Sequence, residues 1–153
     1  MLQNKYIAVS GNIGSGKSTL VQFLSSEFGA TSFYETNVEN PYLNNFYKDM
    51  HKWAFHSQIF FLIQKIDIHK KIKNHKGLVA LDRSIYEDAE IFAQALYNSK
   101  KMNKIDFKTY WSLYKTISET LRSPNLMIYL KCSISNLKKR IFIRNRKMEN
   151  NMI

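Results

Sequence analysis

One cysteine, two prolines and five glycines are all that this 153-residue chain contains of the residues that most often punctuate or cross-link a fold. A lone Cys132 excludes a disulfide framework and places the protein in a reducing, cytosolic setting. The shortage of Gly and Pro argues for long helices and few loops. No run of eighteen apolar residues occurs, which excludes a helical membrane span. The N-terminus has no signal-peptide pattern of a charged start, an apolar stretch and a cleavage site. The histidines at 51, 56, 69 and 75 lack metal-ligand spacing, so surface or structural roles suit them best. Acidic residues are few, 12 against 23 Lys and Arg, which gives a net charge of +11 and points to an anionic partner. The basic residues are scattered, with clusters at 70–76 and 138–147, and a nucleotide needs only a local basic site. The first cluster suits a solvated helix end.

Three of the five glycines fall together. Residues 11–19 read Gly-Asn-Ile-Gly-Ser-Gly-Lys-Ser-Thr, which fits the phosphate-loop pattern G-x-x-x-x-G-K-[ST]. The apolar Lys5-Tyr-Ile-Ala-Val9 before it reads as a buried strand. The segment after it has helical spacing, with Leu20, Phe23, Leu24 and Phe28 on one face and Gly29 at the C-cap. Glycines let the backbone approach an oligophosphate, and successive N–H groups of Asn12, Ile13, Gly14, Ser15 and Gly16 with the helix N-terminus at Thr19 point at the anion. Lys17 is placed to bridge the β- and γ-phosphates of such an anion, and the Ser18 hydroxyl to ligate Mg²⁺.

Apolar runs predict strands at 5–9, 31–34, 77–81 and 125–130, separated by helical patterns at 17–28, 41–50, 53–74, 87–99, 106–121 and 133–146. Alternating strands and helices imply an α/β fold: one domain over residues 1–153 with a parallel sheet flanked by helices. Phe60, Phe61, Ile63 and Ile66 on the long helix, and Trp111, Tyr114 and Ile117 on a later one, are expected in the core. In such a sheet the polar residues just past each strand meet in one crevice. These are the phosphate loop, Glu35 after the second strand, and Asp82-Arg83-Ser84 after the third. A base, a Mg²⁺ partner and a cation beside a triphosphate suit phosphoryl transfer to an alcohol. Alone, Glu35 is equally well a loop carboxylate, and Arg83 a salt-bridge partner. Arg140 and Arg144 lie four apart on one helical face, with Arg146 at its end. They suit an arginine lid over phosphates at about 140–149, or else a solvated basic helix end or a nucleic-acid contact.

With these residues in view, the chain resembles the deoxyribonucleoside kinases, and most of all their bacterial deoxyadenosine/deoxyguanosine branch. The marks are Gly11 to Ser18, Glu35 with Glu39-Asn-Pro-Tyr-Leu43, Phe46-Tyr-Lys-Asp49, Trp53 through Gln58, Leu81-Asp-Arg-Ser-Ile-Tyr-Glu-Asp88 and the arginine segment. The resemblance implies ATP- and Mg²⁺-dependent phosphorylation of the 5′-hydroxyl of a deoxynucleoside, with a purine as base, in nucleotide salvage. It implies Glu35 as the base for that hydroxyl, Arg83 holding Glu35 and the 5′-oxygen, and Asp82 supporting Mg²⁺ and acceptor. Tyr47 and Glu149 are implied at the 3′-hydroxyl, Gln58 at the base edge, Phe92 stacked on the base, and Asp88 choosing it with Lys65 nearby. A helix-paired homodimer is expected from the resemblance alone; no nucleic-acid or membrane partner is expected. Taken singly, Tyr47, Gln58 and Phe92 read as packed helix residues. Lys65 stands where relatives often carry Arg, and Asn145 where the lid usually has Gly. The family continues through another helix, a fifth strand and a closing helix, so the sheet is expected to lack its last strand and helix. A nucleoside monophosphate kinase, or a shortened relative that binds nucleotide without turnover, stays open as an alternative.

Overall fold

The computed structural model describes residues 5–34 and 40–144. Four parallel strands, β1 (Lys5–Gly11), β2 (Thr31–Phe33), β3 (Leu78–Asp82) and β4 (Leu126–Leu130), form one sheet in the order β2-β3-β1-β4. Register pairs Gly11 with Leu130, so β1 and β4 finish level, and Val9 with Asp82, so β3 ends two residues short of them. The predicted strands are therefore present, and every connection between them is helical, as parallel pairing demands.

The chain divides into two compact units, and passes between them four times. The sheet unit comprises Met1–Glu35, His75–Arg83 and Pro124–Ile153. It holds the sheet with α1 (Lys17–Phe28) and α7 (Ile134–Arg144). Its core is Val9, Val21, Leu24, Ala30, Leu78 and Ala80, with Ile7, Leu20 and Leu130 packed against them. All five residues of β3 are buried, as a central parallel strand requires. Asn125 fixes the start of β4: its side-chain oxygen accepts from the Tyr6 amide at 2.8 Å and its own amide donates to the Tyr6 carbonyl at 2.7 Å. One expectation fails here. Phe23 and Phe28 are exposed and rest edge-to-face on each other with ring centres 6.2 Å apart. The inward face of α1 starts at Lys17 and runs through Val21 and Leu24, because the loop must deliver Lys17 inward.

The helical unit comprises Thr36–Asn74 and Ser84–Ser123. It contains α2 (Leu43–Lys48), α3 (Met50–Asn74), α4 (Ile85–Glu87), a π-helix over Asp88–Ala93, α5 (Gln94–Asn98) and α6 (Lys104–Ser118). Ser84 caps α4, its hydroxyl accepting from the Glu87 amide at 3.3 Å. Asn103 caps α6 in the same way through the Asp106 amide at 2.8 Å. One cluster packs Leu62, Ile85, Ala89, Ala93, Tyr110 and Tyr114 with half-buried Ile66, Trp111 and Ile117. A second packs Phe46, Ala54 and Met102 with Tyr47 and Trp53. Ile63 is half exposed and Phe60 and Phe61 are only partly buried, which corrects the expected core of α3. The buried stripe of that helix is Ala54, Ser57, Gln58, Leu62, Lys65, His69 and Ile72. Polar residues occupy the inward face, so the large apolar ones are displaced to its flanks. No helix among the described residues is long and apolar enough to cross a membrane.

Candidate active site

The loop between β1 and α1 is shaped for an anion. Gly11 has no room for a side chain: a Cβ there would meet the Leu130 carbonyl oxygen at 2.8 Å, because β4 runs alongside. Gly16 occupies the N-cap of the twelve-residue α1 with positive φ and no side-chain cap, and no acidic residue stands in the first turn. The first amides of α1 and the positive end of its dipole therefore lie at the loop. Lys17 is buried, and its ammonium donates to the carbonyls of Gly11 at 2.9 Å and Asn12 at 3.0 Å. Those carbonyls hold the cation over the loop. The Asn12 side chain in turn accepts from the Ile13 amide at 2.7 Å.

Asp82 and Arg83 end β3 beside this loop. The Ser18 hydroxyl donates a hydrogen bond to the Asp82 carboxylate across the two strands' ends. Two hard oxygens, one hydroxyl and one carboxylate, are the partial ligand set that Mg²⁺ takes when phosphates and water complete its octahedron. No group of three or more His, Cys, Asp or Glu that could hold a metal ion occurs among the described residues. Arg83 is buried and its amide donates to the Val9 carbonyl at 2.9 Å. Its φ is +66°, a left-handed conformation that a side chain as large as Arg rarely adopts. Strain of this kind is concentrated at functional positions. It turns the chain abruptly from β3 into Ser84 and α4.

Arg140 reaches the loop from α7. Its Nη1 donates to the carbonyls of Gly14 and Ser15, each at 3.2 Å. Arg144, one turn on, is exposed. Glu35, Arg146 and Glu149 lie outside the described residues. The sheet unit thus brings together Gly11 to Thr19, Asp82, Arg83 and Arg140 from the expected set.

The helical unit holds the residues expected at the acceptor. Gln58 and Lys65 are both buried and share the inward stripe of α3. The Lys65 ammonium stands 4.0 Å from the Asp88 carboxylate, and both residues are almost wholly buried. Phe92, half-buried, follows Asp88 by four residues within the π-helix, so the two share a face. Tyr47 belongs to the separate cluster around Phe46, with ring centres 5.2 Å apart.

Sequence reasoning missed three neighbours of this group. His69 lies one turn beyond Lys65 on the same buried face. Burial, and then the Lys65 charge, lowers its pKa from 6.5 to about 4, so it is neutral at pH 7. The Tyr110 phenol is buried, and burial, followed by the Asp88 charge, pushes its pKa well above the usual value. Asn40 donates to the Ser57 hydroxyl at 3.1 Å and accepts from the Tyr42 amide at 3.0 Å, fixing the start of the helical unit's described chain. A buried His or Tyr gives no periodic signal of its own; the Asn40-Pro41 step was the one visible hint.

A family model described as deoxynucleoside kinase matches residues 7–153. The chain belongs to the deoxynucleoside kinase family. It is 40% identical over 149 residues to a deoxyadenosine/deoxycytidine kinase of Bacillus subtilis, covering 96% of this chain and 69% of that protein. A deoxyadenosine kinase of Dictyostelium discoideum is 36% identical over 148 residues, covering 97% of this chain and 60% of that protein. The chain therefore spans about two thirds of the length of these two relatives. Among solved structures, deoxyadenosine kinase from M. mycoides with dCMP and a flexible dCDP superposes with a TM-score of 0.86 at 34% identity, covering 95% of this chain and 73% of that one. The same enzyme with dATP bound gives a TM-score of 0.85. These kinases are phosphotransferases, and the parallel sheet with its phosphate loop is their fold.

Proposed function

We propose that this deoxynucleoside kinase family member transfers the γ-phosphoryl group of ATP to the 5′-hydroxyl of a purine deoxyribonucleoside. The observation that carries it is the joining of Ser18 and Asp82 beside the glycine loop, which supplies a metal–triphosphate seat with an acid-arginine pair at its edge. Lys17 and the first amides of α1 hold the phosphates. Ser18 and Asp82 would hold Mg²⁺, which would supply charge neutralisation at the phosphates. Glu35 takes the proton as the 5′-oxygen forms its bond to the γ-phosphorus and the bond to the bridging oxygen breaks, releasing ADP. Arg83 orients the reacting oxygen, and Arg144 and Arg146 offset charge on the transferring group.

The helical unit supports a neutral nucleoside as acceptor. Gln58 offers a donor and an acceptor from one carboxamide, which matches a purine edge. Asp88, paired with Lys65, adds a charged acceptor, and Phe92 an aromatic face for stacking. Tyr47 and Glu149 are assigned to the 3′-hydroxyl. Deoxyadenosine and deoxyguanosine are the proposed acceptors, since several relatives carry those names. A homodimer paired through helices accompanies this assignment, and sedimentation equilibrium reads it directly.

The test is Glu35→Gln. It should lose at least a thousandfold in turnover with ATP and deoxyadenosine while ADP affinity stays within threefold. A variant that keeps wild-type turnover removes Glu35 from the base role.

A further inference from the structure

Arg140 is expected, from its place in the arginine segment, to neutralise phosphate directly. The structure engages it elsewhere. Its Nη1 donates to two successive main-chain carbonyls of the phosphate loop, Gly14 at 3.2 Å and Ser15 at 3.2 Å. We infer that Arg140 is a positioning residue of the phosphate loop, acting on a bound nucleotide through the loop backbone rather than by touching its phosphates.

Peptide planarity carries the effect. In a trans peptide the carbonyl of one residue and the amide of the next point in opposite directions. Holding the Gly14 and Ser15 carbonyls on the α7 side turns the Ser15 and Gly16 amides to the other side. The Ser15 amide closes the loop on the Asn12 carbonyl at 3.1 Å. The Gly16 amide is the next in line toward the α1 N-terminus. Lys17 does the complementary work on the carbonyls of Gly11 and Asn12. Two cations thus gather four loop carbonyls between them. An anion nest needs its carbonyl dipoles turned away and its amides turned in, and cations placed on those carbonyls lower the cost of that arrangement.

The helix that carries Arg140 is seated for this role. Leu137 and Ile141, flanking it on α7, are buried. A Cβ placed at Gly14 would lie 3.4 Å from Ile141, 3.6 Å from the Leu137 carbonyl and 3.8 Å from the Arg140 Cβ, ordinary contact distances that put α7 alongside the loop at this point. Gly14 also has φ +77°, open to glycine and strained for others.

The chemistry separates this role from a phosphate clamp. Clamping a phosphate uses the planar two-pronged face of a guanidinium, which Lys does not reproduce. Bridging two carbonyls from a single nitrogen is a task that a Lys ammonium also performs. The inference rests on the proposed phosphate-loop function, and its first readout needs no nucleotide. Amide hydrogen exchange of residues 12–19 is measured in nucleotide-free wild type, Arg140→Met and Arg140→Lys, with far-UV circular dichroism reporting that each is folded. Arg140→Met should exchange at least tenfold faster across the loop, and Arg140→Lys should stay within threefold of wild type. ADP affinity should fall about tenfold in Arg140→Met and recover in Arg140→Lys. Unchanged exchange in Arg140→Met, or a hundredfold loss of kcat in Arg140→Lys with wild-type exchange, overturns the inference. Wild-type protein that binds neither ADP nor ATP overturns the proposed function, while the exchange comparison still decides the role of Arg140.

Discussion

Arg83 concentrates two demands in one residue. Its guanidinium is wanted beside the reacting oxygen, and its backbone must turn through φ +66° to leave β3. A left-handed conformation costs a non-glycine residue about 1 kcal/mol. Arg83→Gly and Arg83→Ala should both lose turnover, but the Gly variant should be more stable than the Ala variant by about 1 kcal/mol in urea titration. Equal stabilities would mean that the turn stores no strain. His69 makes a second residue-scale prediction. Unfolded, it titrates near 6.5; folded, near 4. Below pH 6.5 the unfolded chain takes up a proton that the folded chain refuses, so this group's contribution is present at neutral pH and is lost as pH falls from about 6.5 to 4. The limit is roughly 3 kcal/mol, from 1.36 kcal/mol per unit of pKa. Denaturation curves between pH 7 and pH 4 should show a steeper loss for wild type than for His69→Gln. Parallel loss in the two proteins would place the titration elsewhere.

At the scale of elements, the long α3 explains most of the distance between sequence and structure. The strands, the phosphate loop and the helix after it were legible because strand periodicity and glycine spacing are strong local signals. The inward face of α3 was legible only in part: the resemblance named Gln58 and Lys65, but the apolar pattern did not mark the rest. It spends Ser57, Gln58, Lys65 and His69 on buried polar positions, so hydrophobic periodicity pointed to Ile63, which is half exposed. Phe23 and Phe28 misled for the same reason: α1 is oriented by Lys17 rather than by its largest apolar side chains. The role of Arg140 was hidden because its partners are backbone carbonyls, which leave no trace in residue type. The π-helix at Asp88–Ala93 was equally invisible, since one extra residue per turn carries no composition signal. It invites a direct test. Deleting the exposed Ile91 should restore an α-helical ladder and rotate Asp88 by roughly 100° relative to the residues beyond it. The deoxyadenosine KM should rise at least tenfold while ADP affinity stays within threefold. An unchanged KM would show that the π-turn does not set the position of Asp88.

For the whole molecule, the division of labour follows the two units. The sheet unit holds every described residue assigned to the phosphate donor, and the helical unit every described residue assigned to the acceptor except the Asp82-Arg83 pair that ends β3. The chain passes between the units four times, so neither is a continuous segment that is completed before the other begins. We propose that residues 1–153 fold as one cooperative domain. Trp53 and Trp111 both lie in the helical unit, whereas far-UV circular dichroism reports on both units. The two signals should give coincident urea transitions, and separated midpoints would establish independent folding. The central claim is that a phosphate-loop seat for ATP serves a neutral deoxynucleoside. It is tested most directly by incubating the protein with γ-labelled ATP, Mg²⁺ and, separately, deoxyadenosine, deoxyguanosine, deoxycytidine, thymidine and dAMP. Label should pass to a purine deoxynucleoside as its 5′-monophosphate and not to dAMP. Label appearing in dADP alone, or in no product while ATP binds, would contradict the account.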